Sequence, residues 1–118
     1  MVIENLVGRV FATRNAVHLL HWKTKSYAQH VALNDLYEEL IERVDAIVEA
    51  YQGAFGLIKD VNIEQVSPND LLKHLDQEVL WIDSNREKVA RKVRALENLV
   101  DNLTESYLKA IYKLRNLS

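Results

Sequence analysis

The sequence predicts an all-α protein, a single domain over residues 1–118 built as a four-helix bundle with a longer connection between its second and third helices. Three observations carry that expectation. A chain of 118 residues is long enough to bury one core and too short for two. Three glycines and one proline, beside 48% hydrophobic and 27% charged residues, favour long helices over turn-rich β structure. Apolar residues also recur at three- and four-residue steps along most of the chain, the period of a helix with one buried stripe.

Taken in order, the first helix runs from Val2 to about Lys25, with Ile3, Leu6, Val7, Val10 and Phe11 on its stripe. A polar joint at Lys25 and Ser26 leads into a second periodic run through Leu33, Leu36, Leu40, Val44, Ile47 and Tyr51. That run ends near Gly53 and Gly56, since glycine tolerates the positive φ of a helix terminus. Leu57 to Val66 has weak periodicity and reads as a connection. Ser67-Pro68-Asn69-Asp70 then reads as a helix start, with Ser67 as N-cap, Pro68 in the first helical position and Asp70 in the first turn. The pattern continues from Leu71 to Leu114 without Gly or Pro. One helix of that length would be unusual in a single domain, so a break between Ala90 and Glu97 is expected. One long connection matches the bundles that cross over once.

Charge and composition narrow the functions. Fifteen Lys plus Arg against seventeen Asp plus Glu give a formal charge of −2, with no basic tail of the kind that neutralises phosphates, so DNA binding is not expected. Without cysteine there is no disulfide framework or thiolate nucleophile, and any metal must be held by His, Asp and Glu. The amphipathic start lacks a signal-peptide pattern and no apolar run is long enough for a bilayer, so a cytoplasmic protein without membrane contact is expected.

On the second helix, His30, Asn34, Asp45 and Glu49 fall within about 100° along one edge of the apolar arc. Asp45 and Glu49 stand one turn apart, a spacing that suits one cation or simply a solvated face. His21 lies near the centre of the first helix's stripe and must find a partner there, a carbonyl or carboxylate if it is a core histidine. Arg14 shares that face, so Asp45 or Glu49 are alternatively its counter-ions. Asp70, His74 and Glu78 form a ladder on an exposed or groove-lining face. Trp22, Trp81, Tyr37, Tyr51 and Tyr107 read as core or interface anchors. Phosphate loops, Ser-His-Asp arrangements and zinc-type His-Glu-x-x-His motifs are absent.

The string His21-Trp22, then His30-x-x-Leu33-Asn34-Asp35-Leu36-Tyr37, then Asp45-x-x-x-Glu49 resembles the signature of the Dps-type miniferritins of the ferritin-like superfamily, over roughly Val10 to Gly53. Short ferritin-like proteins of bacteriophages look similar too. The resemblance implies an iron-oxidising site lying across a two-fold interface, with His21 and His30 of one subunit facing Asp45 and Glu49 of another. It further implies a homo-oligomer, a dodecameric shell, that takes up ferrous iron, oxidises it, commonly with hydrogen peroxide, and stores the ferric product. A bacterial cell or a phage-infected host is the corresponding setting.

Two departures separate this sequence from the pattern. The interval from His21 to His30 is about three residues shorter than usual, and Asn34 stands where the family carries a carboxylate. The resemblance therefore implies His21, His30, Asp45 and Glu49 as iron ligands of a ferroxidase, with Asn34 as a further oxygen donor and zinc as a substitute occupant. The alternative is a ferritin-like bundle without oxidation chemistry that serves as a structural or assembly module.

Overall fold

The computed structural model describes residues 1–117, which form α1 (Val2–Lys23), α2 (Tyr27–Phe55), α3 (Leu71–Ala90) and α4 (Arg94–Asn116). Among the described residues there is no strand, and the all-α four-helix bundle is the one that the periodicity predicts. α2 has 29 residues, about 44 Å at a rise of about 1.5 Å each. The long axis of the molecule is 44 Å, so α2 alone reaches from one end to the other.

Side-chain pairs between helices give the topology. Asp35 meets Lys113, and Arg43 meets Glu105, so α2 and α4 run antiparallel. Asp76 meets Arg115 and Arg86 meets Asp101, which makes α3 and α4 antiparallel as well. α2 and α3 are therefore parallel, and the connection between them must travel the whole length of the bundle. Around the barrel of helices the order is α1, α2, α4, α3, and the α1–α3 seam is the one with few direct contacts. Leu6, Val10, Val17, Leu36, Leu40, Ile47, Leu75, Leu96, Leu103 and Tyr107 fill the centre, all essentially without solvent contact.

Three helix ends differ from the sequence expectation or refine it. α1 stops at Lys23, two residues early, and the joint is held by Ser26, whose hydroxyl accepts from the Gln29 N–H at 3.2 Å. α3 begins at Leu71 and not at Pro68. The Asp70 carboxylate accepts from the Lys73 N–H at 3.1 Å, and a carboxylate is the stronger cap at the positive end of a helix than the Ser67 hydroxyl. The break between α3 and α4 falls inside the expected window, at Arg91 and Lys92, which both take positive φ (51° and 68°). Arg91 lies in the left-handed region usually taken by glycine, and its guanidinium sits 3.9 Å over the Phe55 ring.

The connection, residues 57–70, lies as an extended strap in the α1–α3 seam. Gln52 accepts from the Ile58 N–H at 3.1 Å, and the buried Glu4 carboxylate accepts from the Lys59 N–H at 2.7 Å. Farther along, the strap backbone closes on α1 at Gly8, where a Cβ would collide with the carbonyl oxygen of Asn62. Glycine inside a helix normally weakens it by about 1 kcal/mol relative to alanine. At Gly8 the close approach of the strap supplies the reason for its presence.

Gly8→Ala is expected to destabilise by about 1–3 kcal/mol, as overpacking does, lowering the melting temperature by several degrees. Gly53→Ala, where a Cβ meets nothing within 4 Å, is expected to leave it unchanged or raise it; thermal unfolding of the two variants separates the roles. Glu4 gives a pH dependence. Burial by itself would raise its pKa, but hydrogen bonds from the Lys59 and Glu4 N–H groups and the charge of the terminal ammonium outweigh that and hold it below the ordinary value. A depressed folded-state pKa stabilises above the unfolded pKa and loses that contribution as pH falls through the folded one. Wild type is therefore expected to lose strap protection, measured by hydrogen exchange at Lys59, on acidification below the ordinary carboxylate range. Glu4→Gln should show weakened protection already at pH 7 and a flatter acid limb.

Candidate functional site

Where α1 ends and α2 begins, four rings pack together. His21 and His30 stack with centroids 4.3 Å apart. His18 stacks on Tyr37 at 4.0 Å, with planes 9° apart, and Tyr37 meets His21 edge-on at 5.1 Å. The short joint between the helices is what brings His30 onto His21, so the reduced interval still lets the two histidines converge. His21 Nδ1 lies 3.0 Å from the carbonyl of His18, and His30 Nδ1 lies 2.9 Å from the carbonyl of His21. A carbonyl only accepts, so each Nδ1 carries the proton and donates it. In the neutral rings both Nε2 atoms therefore hold the lone pair. Fixing a histidine through Nδ1–H to a carbonyl is also how proteins orient metal-ligating imidazoles.

The rest of the cluster supports this pair. Tyr37 donates to Asn34 Oδ1 at 2.8 Å, which orients the amide beside His30 on the next turn. Burial, then the charges of Arg14 and His21, hold the His18 imidazole below its ordinary pKa. Arg14 does not reach Asp45 or Glu49. It donates to Asn15 at 3.1 Å and lies 5.3 Å over Tyr37, because α1 carries it at the histidine end of the bundle. Trp22, expected as an anchor, is 66% exposed beside His18, whereas Tyr107 and Tyr51 are in the core.

Asp45 lies fifteen residues beyond His30, about 22 Å along α2, and Glu49 one turn farther. The chain thus brings His21 and His30 together and keeps Asp45 and Glu49 at a distance from them. Among the described residues, no three His, Asp or Glu side chains lie close enough to hold one metal ion. Both carboxylates are exposed. At 100° per residue, Tyr27, Val31, Asn34, Glu38, Glu42, Asp45 and Glu49 share one narrow stripe of α2. Its amino-terminal part is aromatic and apolar, with Tyr27 at 82% exposure, and its carboxyl-terminal part is acidic. None of Glu38, Glu42, Asp45 and Glu49 has an ion-pair partner among the described residues.

A second polar feature opens in the α1–α3 seam. Under the strap is a cleft of about 430 Å³ walled by Arg9 and Thr13 of α1, Asn62 and Glu64 of the strap, and His74, Glu78 and Trp81 of α3. Arg9 donates from Nε and Nη2 to the two oxygens of buried Glu78, at 3.2 and 2.7 Å, and lies 4.6 Å over Trp81. Thr13 Oγ1 is 2.9 Å from His74 Nε2. Of the predicted ladder, His74 and Glu78 do line a groove, whereas Asp70 is the α3 cap. Behind this wall, Tyr107 is 0% exposed, and its hydroxyl has no hydrogen-bond partner. Burial, then the nearby Glu78 carboxylate, pushes the phenol pKa up; Thr13 is close enough to lower it somewhat without completing a hydrogen bond.

With both features in place, relatives can be compared. Residues 21–114 match a family of unknown function (DUF5856). The chain belongs to that family. It is also similar to the "Uncharacterized 14.6 kDa protein in mobD-ri intergenic region" of Enterobacteria phage T4, at 26% identity over 113 residues, covering 94% of this chain and 86% of that protein. No solved structure matches. The DUF5856 match begins at His21 and spans α2, α3 and most of α4, so the histidine pair, the α2 stripe and the α3 wall of the cleft all fall within it.

The Arg9–Glu78 pair is separated by 69 residues, and single-helix reasoning did not find it. The available signal was Asn5, Arg9 and Thr13 at four-residue steps on α1, a polar ladder on a helix that otherwise buries most of its surface.

Nitrogen-15 NMR of the imidazoles is expected to show both His21 and His30, when neutral, as the Nδ1–H tautomer. An Nε2–H tautomer at either ring would contradict the two carbonyl bonds.

Proposed function

We propose that this member of DUF5856 is a metal-binding bundle whose site is completed between two copies, with ferrous iron as its substrate. The observation that carries this reading is the stacked His21–His30 pair, with each Nδ1 tied to a carbonyl and each Nε2 left as a ligand. Imidazole nitrogens suit iron and zinc alike. Two nitrogens are an incomplete set, and the exposed Asp45 and Glu49 are the oxygen donors that a second copy can bring. An antiparallel meeting of two α2 stripes centred between Tyr37 and Glu38 would set His30 opposite Asp45 of the partner subunit. The same arrangement would cover the apolar Tyr27 and Val31 and place the acidic end of each stripe against the histidine end of the other.

Carboxylates favour the ferric state by charge, so such a mixed set supports oxidation of two ferrous ions per hydrogen peroxide, with two protons consumed and two waters formed. A second reading, a bundle that assembles without oxidation, draws on Asn34. Its oxygen accepts from Tyr37 and brings no negative charge where the miniferritin pattern has a carboxylate. Both readings share the dimer and differ in the chemistry.

Anaerobic titration of metal-free protein with ferrous iron and, separately, zinc, followed by peroxide, tests them together with light scattering. The expected outcome is a dimer or larger species that binds about one ion per histidine pair and turns iron over. Asp45→Asn with Glu49→Gln is expected to abolish oxidation while leaving the melting temperature unchanged or slightly raised, since two like charges one turn apart repel by a few tenths of a kcal/mol, about 0.2–0.5. A dimer that binds metal without oxidising iron selects the second reading. A monomer that binds neither metal at micromolar concentration overturns the proposal.

A further inference from the structure

We infer that the cleft between α1, α3 and the strap is a binding site for a small organic carboxylate, independent of the histidine pair. A guanidinium has two edges that can each take a carboxylate, one formed by Nε and a terminal nitrogen and one formed by the two terminal nitrogens. Glu78 occupies the first edge of Arg9. Trp81, against which Arg9 lies, keeps the plane fixed. The terminal edge has no acceptor among the described residues, since Nη1 makes no hydrogen bond. It belongs to a side chain that lines the cleft and is 40% exposed. A second carboxylate can dock there without displacing Glu78.

The surroundings fit that class. Asn5 and Asn62 bring side-chain amides to the wall and Ala12, Val66 and Trp81 supply apolar surface for the body of the molecule, with Glu64 of the strap as the one other carboxylate besides Glu78 among the described residues. A volume of about 430 Å³ lies within the usual range of small-molecule sites. Two features set the wall apart from packing alone. The buried Glu78 carboxylate is paired with a side chain, Arg9, that lines the cleft, and the Tyr107 hydroxyl behind Thr13 and Glu78 is fully buried without a hydrogen-bond partner. Orphan hydroxyls are avoided in a core that serves stability alone.

The test is calorimetry and thermal unfolding of the full chain with acetate, succinate and glutamate, each against its neutral amide counterpart at matched ionic strength. A saturable rise in melting temperature with at least one carboxylate and not with its amide is expected. Arg9→Lys keeps a charge for Glu78 and loses the planar second edge, so affinity should fall about tenfold or more. Arg9→Met with Glu78→Met removes the pair as a unit and guards against misfolding, because buried pairs replaced by apolar residues usually leave proteins as stable or more so; it should fold and bind nothing. Equal stabilisation by the amides, binding that survives in the double variant, or no saturable response to any carboxylate would each overturn the inference.

Discussion

The structure depends on one geometrical constraint: α2 and α3 are parallel neighbours of α4, so the chain must return the length of the bundle between them. The strap that makes this return occupies the α1–α3 seam, and much that is unusual in the molecule follows. α1 and α3 are held apart, Gly8 must lack a side chain so that the strap can lie against α1, and Glu4 is buried to accept a strap amide. An extended segment has no partner of its own for its N–H groups. Burying part of it therefore demands side-chain acceptors such as Glu4 and Gln52. The polar cleft is the space that remains where the strap spans the gap without filling it.

The opposite device operates at the other end. Where the strap is a long return, the joint between α1 and α2 is as short as capping permits, with Thr24 donating to Gln29 and Ser26 capping α2. A tight joint forces the last turn of one helix against the first turn of the next. Residues nine apart in sequence, His21 and His30, become stacked rings, and two backbone carbonyls of the last turns of α1, those of His18 and His21, accept their Nδ1 protons. The His21 carbonyl, one of the last four of α1 and without a partner inside the helix, thus sets the His30 tautomer, and the His18 carbonyl sets that of His21.

Much of the fold could be read from periodicity because each helix buries one stripe and little else decides its existence. Boundaries were read less well where two signals competed. Ser67-Pro68 has the composition of a helix start, but Asp70 prevails because its carboxylate caps more strongly and Leu71 and Leu72 begin the apolar packing. Of the site, His21 was legible as a buried histidine needing a partner, and it found the His18 carbonyl. Asp45 and Glu49 share a stripe with Asn34, with His30 at its edge, but the rise along α2 separates them by four turns, a distance that angular position alone does not convey. Arg9 with Glu78, and Thr13 with His74, were not legible. Those pairs exist only once the strap has placed α3 antiparallel to α1.

Three buried polar atoms lack a hydrogen-bond partner among the described residues: Glu4 Oε1, which has only the terminal ammonium at 3.6 Å, Arg14 Nε and the Tyr107 hydroxyl. Each such group costs about 1–3 kcal/mol when desolvated and unpaired, which is large beside a total stability of about 5–15 kcal/mol for a domain. They are not scattered. Glu4 lies under the strap, Tyr107 behind the cleft wall, and Arg14 against Tyr37 in the ring cluster. A bundle selected for stability alone would place leucine or phenylalanine at these positions, as it does through the rest of the centre. Unmet hydrogen-bonding capacity therefore marks the strap, the cleft and the histidine end as the places where the sequence departs from what folding requires, and two of the three border the sites at which binding is proposed.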